Sequence, residues 1–418
     1  MEAAGDIHRA IDAVWRIEAA RLIAGLARIV RDIGIAEELA QDALVAALEQ
    51  WPAEGIPRNP GAWLMAAAKF RAIDHLRRNK RVEGKHAELG REMEARQSDA
   101  AARMESGADD MGDDLLRLIF VACHPLLTRD ARAALTLRML GGLTADEIAR
   151  AFLVSESAIA QRIVRAKRTL SEAGVPFEVP GRAEFGARLA SVLDVIYLIF
   201  NEGYTATAGE DWMRPALCED ALRLGRVLAE LAPQEPEVHG LVALMEIQSS
   251  RVKARVDAAG TPVLLLDQNR ALWDWLLIRR GLAALERAQR LSTTPGPFVL
   301  QAEIAACHAR ARTADETNWR LIAAFYAVLA QVSPSPVVEL NRAVAVGMAH
   351  GPKAGLAVLD KLRDEPVLRN YHLLPSVRGD LLMKAGRPEE ARREFERAAA
   401  LTNNAREREL LLARAAPR

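Results

Sequence analysis

DARAALTLRMLGGLTADEIARAFLVSESAIAQRIVRAKRTL, residues 130–170, decides how this chain is read. The stretch predicts a helix, a break at Gly141-Gly142, a short helix, a tight turn and a longer basic helix. Thr144 precedes the short helix Ala145–Arg150 with Glu147 three residues on, which is the spacing of a capping box. Ser155 precedes Glu156–Ser171 and can accept a bond from a free amide of the first turn. Ile148, Ala149, Phe152, Val154, Ile159, Ile163 and Ala166 recur at helical spacing and predict one small shared core. The other face of the last helix carries Ser157, Gln161, Arg162, Arg165 and Arg168. This is the pattern of a helix-turn-helix whose second helix suits the major groove. An ordinary helical pair could also carry a solvated basic face. The coincidence of two caps, an apolar turn and a one-sided charge favours the DNA-binding reading.

At 418 residues the chain predicts two or three domains. It is half hydrophobic, rich in Ala, Leu, Arg and Glu, and poor in aromatics, which predicts an all-α fold. Its 56 basic and 56 acidic residues cancel, so only part of it is expected to touch nucleic acid. Cys123, Cys218 and Cys307 stand far apart without a Cys-x-x-Cys, which argues against a disulfide framework or a zinc site. The pairs Cys123-His124 and Cys307-His308 lie in apolar helical runs and read as buried thiols rather than ligands. No apolar run reaches the roughly 18 residues of a membrane span, and MEAAGDIHRA has no signal-peptide pattern, so the expected location is the cytoplasm. The eight histidines are scattered, and no phosphate-cradling Gly loop, Ser-His-Asp set or metal spacing occurs. Neither an enzyme nor a cofactor is therefore expected.

Upstream, Ile7–Val30 reads as a helix with the apolar stripe Ile11, Val14, Ile17, Leu22, Leu26 and Ile29, broken by Gly34. In the next helix, Ala36–Trp51, Leu39, Ala43, Leu44, Ala47 and Leu48 face inward. Glu37, Glu38, Gln41, Asp42, Ala46 and Glu49 lie mostly on the other face. Such an acidic face suits a basic partner protein rather than DNA. Residues 52–61, PAEGIPRNPG, predict a shaped loop. Ala62–Arg81 is a third helix ending in a basic cluster with Trp63, Phe70 and His75 interleaved, which suits single-stranded or melting DNA. Phe70 reads as a core residue, whereas Trp63 fits either the core or a stacking role.

These blocks, AEELAQDALVAALEQW, RNPGAWLMAAAKFRAIDHLRR and then the helix-turn-helix, resemble an extracytoplasmic-function sigma factor of bacterial RNA polymerase over about residues 5–175. The resemblance implies a first domain at 5–81 for the polymerase clamp and the −10 element. It implies a second at 115–175 for the −35 element, also contacting the polymerase flap. By position it places Glu37, Glu38, Gln41 and Asp42 against the clamp. It gives the Pro52–Gly61 loop a flipped −10 base, with Asn59 and Trp63 beside it, and sets Asp74, His75, Arg77, Arg78 and Arg81 along the −10 strand. It assigns the −35 face to Ser157, Ala160, Gln161, Arg162, Arg165 and Arg168. Ala158 and Ala160 stand where many relatives are polar, so Gln161 and Arg162 would carry more of the readout. A one-component regulator that binds duplex DNA alone is the alternative. It leaves the acidic face and the Trp63–Arg81 block unexplained.

Residues 82–114, with ten acids against four bases, predict a flexible acidic linker, either repelling DNA or acting as a plain tether. Leu115–Leu127 predicts the first helix of the second domain. Pro176 and Pro180 mark the start of a helical extension, 177–418. Arg182–Phe200 is a long amphipathic helix. The non-periodic NEGYTATAGEDWMRPA that follows brings Tyr204, Asp211, Trp212 and Arg214 together, as a contact surface or as a connection pinned by Trp212. Gly379, Leu382, Gly386, Ala391, Phe395 and Ala398 fit a tetratricopeptide-like repeat, echoed 37 residues earlier with Ala354 for Ala391 and Val358 for Phe395. These repeats are clearest at 339–402, and His239 opens a fainter candidate. The sigma subgroup with such an extension is similar along the whole chain. It implies that the extension regulates or assists the sigma function and that small DGPF-type proteins are genomic companions.

Overall fold

The computed structural model describes residues 2–83, 109–152, 154–205, 208–209, 212–257 and 260–416. Eighteen α-helices carry these residues, and the sheet content is one parallel pair of two-residue strands, Ala208–Gly209 and Asn403–Asn404. The chain divides into two compact units, Met1–Ile196 and Tyr197–Arg418. The division falls inside a continuous helix, sixteen residues beyond Pro180, the second of the two prolines that mark it in the sequence.

In the first unit, α1 (Glu2–Val30), α2 (Ile33–Glu54) and α3 (Pro60–Glu83) pack on one another. Ala19, Leu22, Ile23, Leu26 and Ala27 bury the inner face of α1. Ile17 falls outside that register and is 65% exposed. The break after α1 comes at Arg31, whose φ is 57°, not at Gly34. Asp32 then caps α2, its carboxylate accepting from the amides of Gly34 at 2.7 Å and Ile35 at 3.0 Å. Helix α2 runs through Pro52, and Pro60 opens α3, so the shaped loop shrinks to residues 55–59. A proline in the last turn loses one ladder bond, and one at the first position loses none.

Helix α4 (Asp109–Ala122) starts six residues earlier than the sequence predicts and ends five earlier. The body of the acidic linker, 84–108, lies outside the described residues. Helices α5 (Arg129–Met139), α6 (Ala145–Phe152) and α7 (Glu156–Glu172) form the expected helix-turn-helix. The capping box closes reciprocally, with Glu147 N–H donating to Thr144 Oγ1 at 3.1 Å and Thr144 N–H to Glu147 Oε2 at 2.8 Å. Ser155 Oγ accepts from the Ala158 amide at 3.2 Å. Ile148, Ala149, Ile159, Ile163, Ala166 and Leu170 make the core, but Val154, in the turn, is 38% exposed. Gly142 takes φ 71° at the bend, and its bare Cα lets the bend approach α1 beside Arg16. The start of α8 (Arg182–Tyr204) closes this unit. Phe185 packs on Phe120 with centroids 5.4 Å apart, Ser191 Oγ donates to the Cys123 carbonyl at 2.8 Å, and Arg188 to that of Phe120 at 2.9 Å.

The second unit continues with α9 (Pro215–Leu231), α10 (Pro236–Ser249), α11 (Trp275–Leu291) and α12 (Pro297–Arg310). It ends with α13 (Trp319–Val332), α14 (Pro336–His350), α15 (Pro352–Asp360), α16 (Leu373–Lys384), α17 (Pro388–Leu401) and α18 (Ala405–Ala415). From α12 to α18 each helix packs on the next, as a helical-hairpin array does. At Gly379 a side chain would collide with Phe395, which is why that repeat position is bare. The candidate at His239 does not repeat the hairpin, because α10 is followed by a 3-10 turn and an irregular segment before α11. All three cysteines are buried, and burial raises the Cys123 and Cys307 thiols to about 11 and Cys218 to about 12, so they are inert as thiolates.

Candidate nucleic-acid and polymerase interface

Helix α7 presents a solvent face. Ser157, Ala160, Gln161, Arg165 and Arg168 are exposed on it, while Ile159, Ile163 and Ala166 turn into the core. Arg162 is half-buried and leans 3.7 Å from Asp130. Arg168 pairs with Glu172 at 2.6 Å, one turn along. Val164 lies on the open face too, 62% exposed, and was not among the expected contacts. Its spacing from Ser157, Gln161 and Arg168 is the signal that marks it. An apolar methyl there can meet a thymine methyl in the major groove.

Helix α3 buries Leu64, Ala68 and Ala72, a strict four-residue stripe. Phe70 falls opposite that stripe and is 72% exposed, so the expectation that it belongs to the core is wrong. The aromatic character suggested burial, but the helical register overrides it. Trp63 is half-buried, packed edge-on against the buried Trp51 with centroids 5.3 Å apart. Asn59 caps α3, its Oδ1 accepting from the Ala62 amide at 3.1 Å. Asp74 and His75 are half-buried on the same helix. Arg77, Arg78 and Arg81 follow on its last turns, and their side chains lie outside the described residues.

On α2 the acidic set divides. Glu38, Asp42 and Glu49 are exposed and Gln41 is half-buried, but Glu37 and Ala46 are 2% and 6% exposed, against the expectation of an outward face. Glu37 lies in a seam against the helix-turn-helix. Its Oε1 accepts from Arg138 Nε and from Gln41 Nε2, each at 2.5 Å, and its Oε2 pairs with Lys167. Arg138 also donates to the Leu143 carbonyl at 3.0 Å, tying the seam to the bend before α6. The same seam holds Ser171 Oγ donating to Asp32 at 2.9 Å and Arg16 pairing with Glu147 at 2.5 Å. Beside it opens a cleft of about 550 Å³ whose walls include Arg28, Arg31, Lys167 and Phe177. Arg138 and Lys167 were missed because the carboxylate they share, Glu37, lies on a distant segment.

In the second unit, Tyr204 stacks on Phe200 at 5.6 Å and lies under the guanidinium of Arg255, 3.4 Å from its ring centroid. Trp212 flanks the same guanidinium at 4.5 Å. Arg214 pairs with Glu202. These three side chains are part-buried rather than displayed, and Asp211 lies outside the described residues.

Among the described residues no helix is long and apolar enough to cross a membrane. Residues 17–82 match Sigma-70 region 2, residues 117–170 match Sigma-70, region 4, and residues 188–289 match a family of unknown function (DUF6596). An uncharacterized protein of Rhizobium meliloti (strain 1021) is 45% identical over 91% of this chain and 89% of its own length. The ECF RNA polymerase sigma factor SigK of Mycobacterium ulcerans (strain Agy99) is 30% identical over 35% of this chain and 75% of its own length. No solved structure matches the chain. The helix-turn-helix, the basic third helix and these two sigma regions in order make one assignment: the chain belongs to the extracytoplasmic-function sigma factors, DNA-binding transcription-initiation proteins that partner RNA polymerase core and promoter DNA.

Proposed function

We propose that α7 docks in the major groove of the −35 element while α3 and the loop before it capture and hold the melted −10 strand. Exposed α2 residues Glu38 and Asp42, with Gln41 and Glu37, bind the polymerase clamp, and the helix-turn-helix domain rests on the flap. The observation that carries this reading is the capped α7 with its polar and basic side chains on the solvent face and its apolar ones inside. Melting costs stacking energy, which exposed Phe70, half-buried Trp63 and the basic end of α3 offset by stacking and phosphate contacts. Clamp engagement through Glu37 requires the seam with Arg138 and Lys167 to part, so the packed state competes with polymerase. The second unit regulates that activity, and a small DGPF-type protein is a candidate companion.

Run-off transcription with purified core polymerase over a promoter library tests the proposal, with the full chain beside residues 1–204. The cut keeps Phe185, Arg188 and Ser191, which close the first unit. Transcripts that depend on the chain and shift with mutated −35 and −10 elements are expected from both forms, at different levels. Tight duplex binding without core and no transcripts from either form would overturn it.

A further inference from the structure

Arg251 and Arg255 are 7% and 5% exposed, on either side of the 3-10 turn Val252–Ala254. Besides Tyr204 and Trp212 around Arg255, Trp273 lies 5.9 Å from the guanidinium of Arg251 and 4.7 Å from that of Arg270. Three guanidinium groups are thus strung along three rings. Their hydrogen-bond partners among the described residues are neutral. Thr205 Oγ1 accepts from Arg255 at 3.0 Å, Gln248 from Arg251, and the carbonyls of His308 and Ala311 from Arg270 at 2.6 Å each. Among the described residues no carboxylate makes an ion pair with Arg251 or Arg255. Burial and the neighbouring Arg255 and Arg270 hold the Arg251 guanidinium below its usual range.

Donors are left over as well. Among the described residues, Nε of Arg251, Nε of Arg255 and the indole Nε1 of Trp212 and of Trp273 are buried without an acceptor. These nitrogens can only donate, and a buried donor left unmade costs stability. Ring faces offset part of the positive charge but leave the N–H groups unanswered. A group that brings both negative charge and several acceptor oxygens answers both deficits, and Arg binds such groups in a planar, bidentate way. We propose that this arginine and tryptophan cluster is a binding site for an oxyanion, the phosphate or carboxylate of a small molecule. Arg251 and Arg255, 7% and 5% exposed, lie too deep to run along a nucleic-acid backbone, which leaves a small group as the partner. The site stands apart from the promoter-binding reading, and it gives the second unit a means of responding to a metabolite.

The test uses the full chain, titrated calorimetrically with inorganic phosphate and separately with succinate at ionic strength matched by chloride, with melting curves in parallel. Saturable binding of at least one anion is expected, with a rise in melting temperature. Phosphate alone binding assigns a phosphate group, and succinate alone a carboxylate. Trp273→Phe keeps a ring and removes one N–H, and should weaken binding about tenfold. Arg255→Met should weaken it about a hundredfold or more. If Arg255→Met fails to fold, Trp273→Phe decides. No saturable binding of either anion, or binding that the folded variants leave intact, overturns the proposal.

Discussion

Lys167→Met tests whether the seam between α2 and the helix-turn-helix restrains the chain. Glu37 Oε1 is held by two donors at 2.5 Å, whereas Oε2 has only Lys167 among its described partners. The Glu37 side chain is 3% exposed and that of Lys167 19%, so the pair is little screened by solvent. Methionine keeps the aliphatic stem and removes the charge. Removing one partner of a buried pair costs about 3–5 kcal/mol. Because Arg138 still faces the carboxylate, the cost falls below that range, to about 2–3 kcal/mol, which lowers the packed-to-parted ratio by about 30- to 150-fold. If polymerase binds only the parted form, its apparent affinity rises by up to that factor. The assay is an anisotropy titration of labelled full chain with core polymerase, with amide exchange read over Ile33–Ala46. We expect tighter binding and faster exchange for Lys167→Met, and parent-like values for Lys167→Arg. Faster exchange without a gain in affinity would refute competition with the clamp, and unchanged exchange would refute the seam.

Phe70→Ala should leave stability within about 0.5 kcal/mol, because the ring is exposed, yet slow promoter opening. Equal opening on a permanganate footprint would remove Phe70 from the −10 site. Gln161→Ala should change the ranking of mutated −35 elements in run-off assays by roughly tenfold at one base, and an unchanged ranking refutes its role. His308 is held down to about 4, chiefly by burial and then by Arg251 and Arg270. The unfolded chain therefore takes up this proton first: stability is unaffected above about pH 6.5 and falls by about 3 kcal/mol as pH drops toward 4. Urea unfolding at pH 7.5 and 4.5 should show a smaller difference for His308→Gln, and an equal difference counts against that role.

What was legible in the sequence follows from the range of the interactions. The caps at Thr144 and Ser155 are closed by residues three positions away, so spacing alone reveals them. Phe70 was misread because its residue type was weighed above the Leu64, Ala68 and Ala72 register, which was there to be counted. Glu37 is different in kind. Its partner Arg138 stands 101 residues away, and periodicity within α2 cannot tell an acid facing solvent from one facing another helix. The same holds for Tyr204, Trp212 and Trp273, whose common feature is Arg251 and Arg255 between them.

A net charge of zero conceals three different uses of arginine and lysine in this chain. On α7, Arg165 and Arg168 are exposed, so whatever they contribute at phosphates is screened by salt and weakens as ionic strength rises. In the seam, Arg138 and Lys167 face a buried carboxylate, and their contribution depends on packing rather than salt. In the second unit, Arg251 and Arg255 have aromatic and neutral partners among the described residues, which offset their positive charge only in part. Composition sums these uses to nothing, whereas burial separates them. The exposed set can steer the chain to a promoter, the seam can hold the first unit closed, and the buried set is the one the oxyanion titration tests. Salt that loosens the first leaves the other two in place, so ionic strength separates the three uses by experiment.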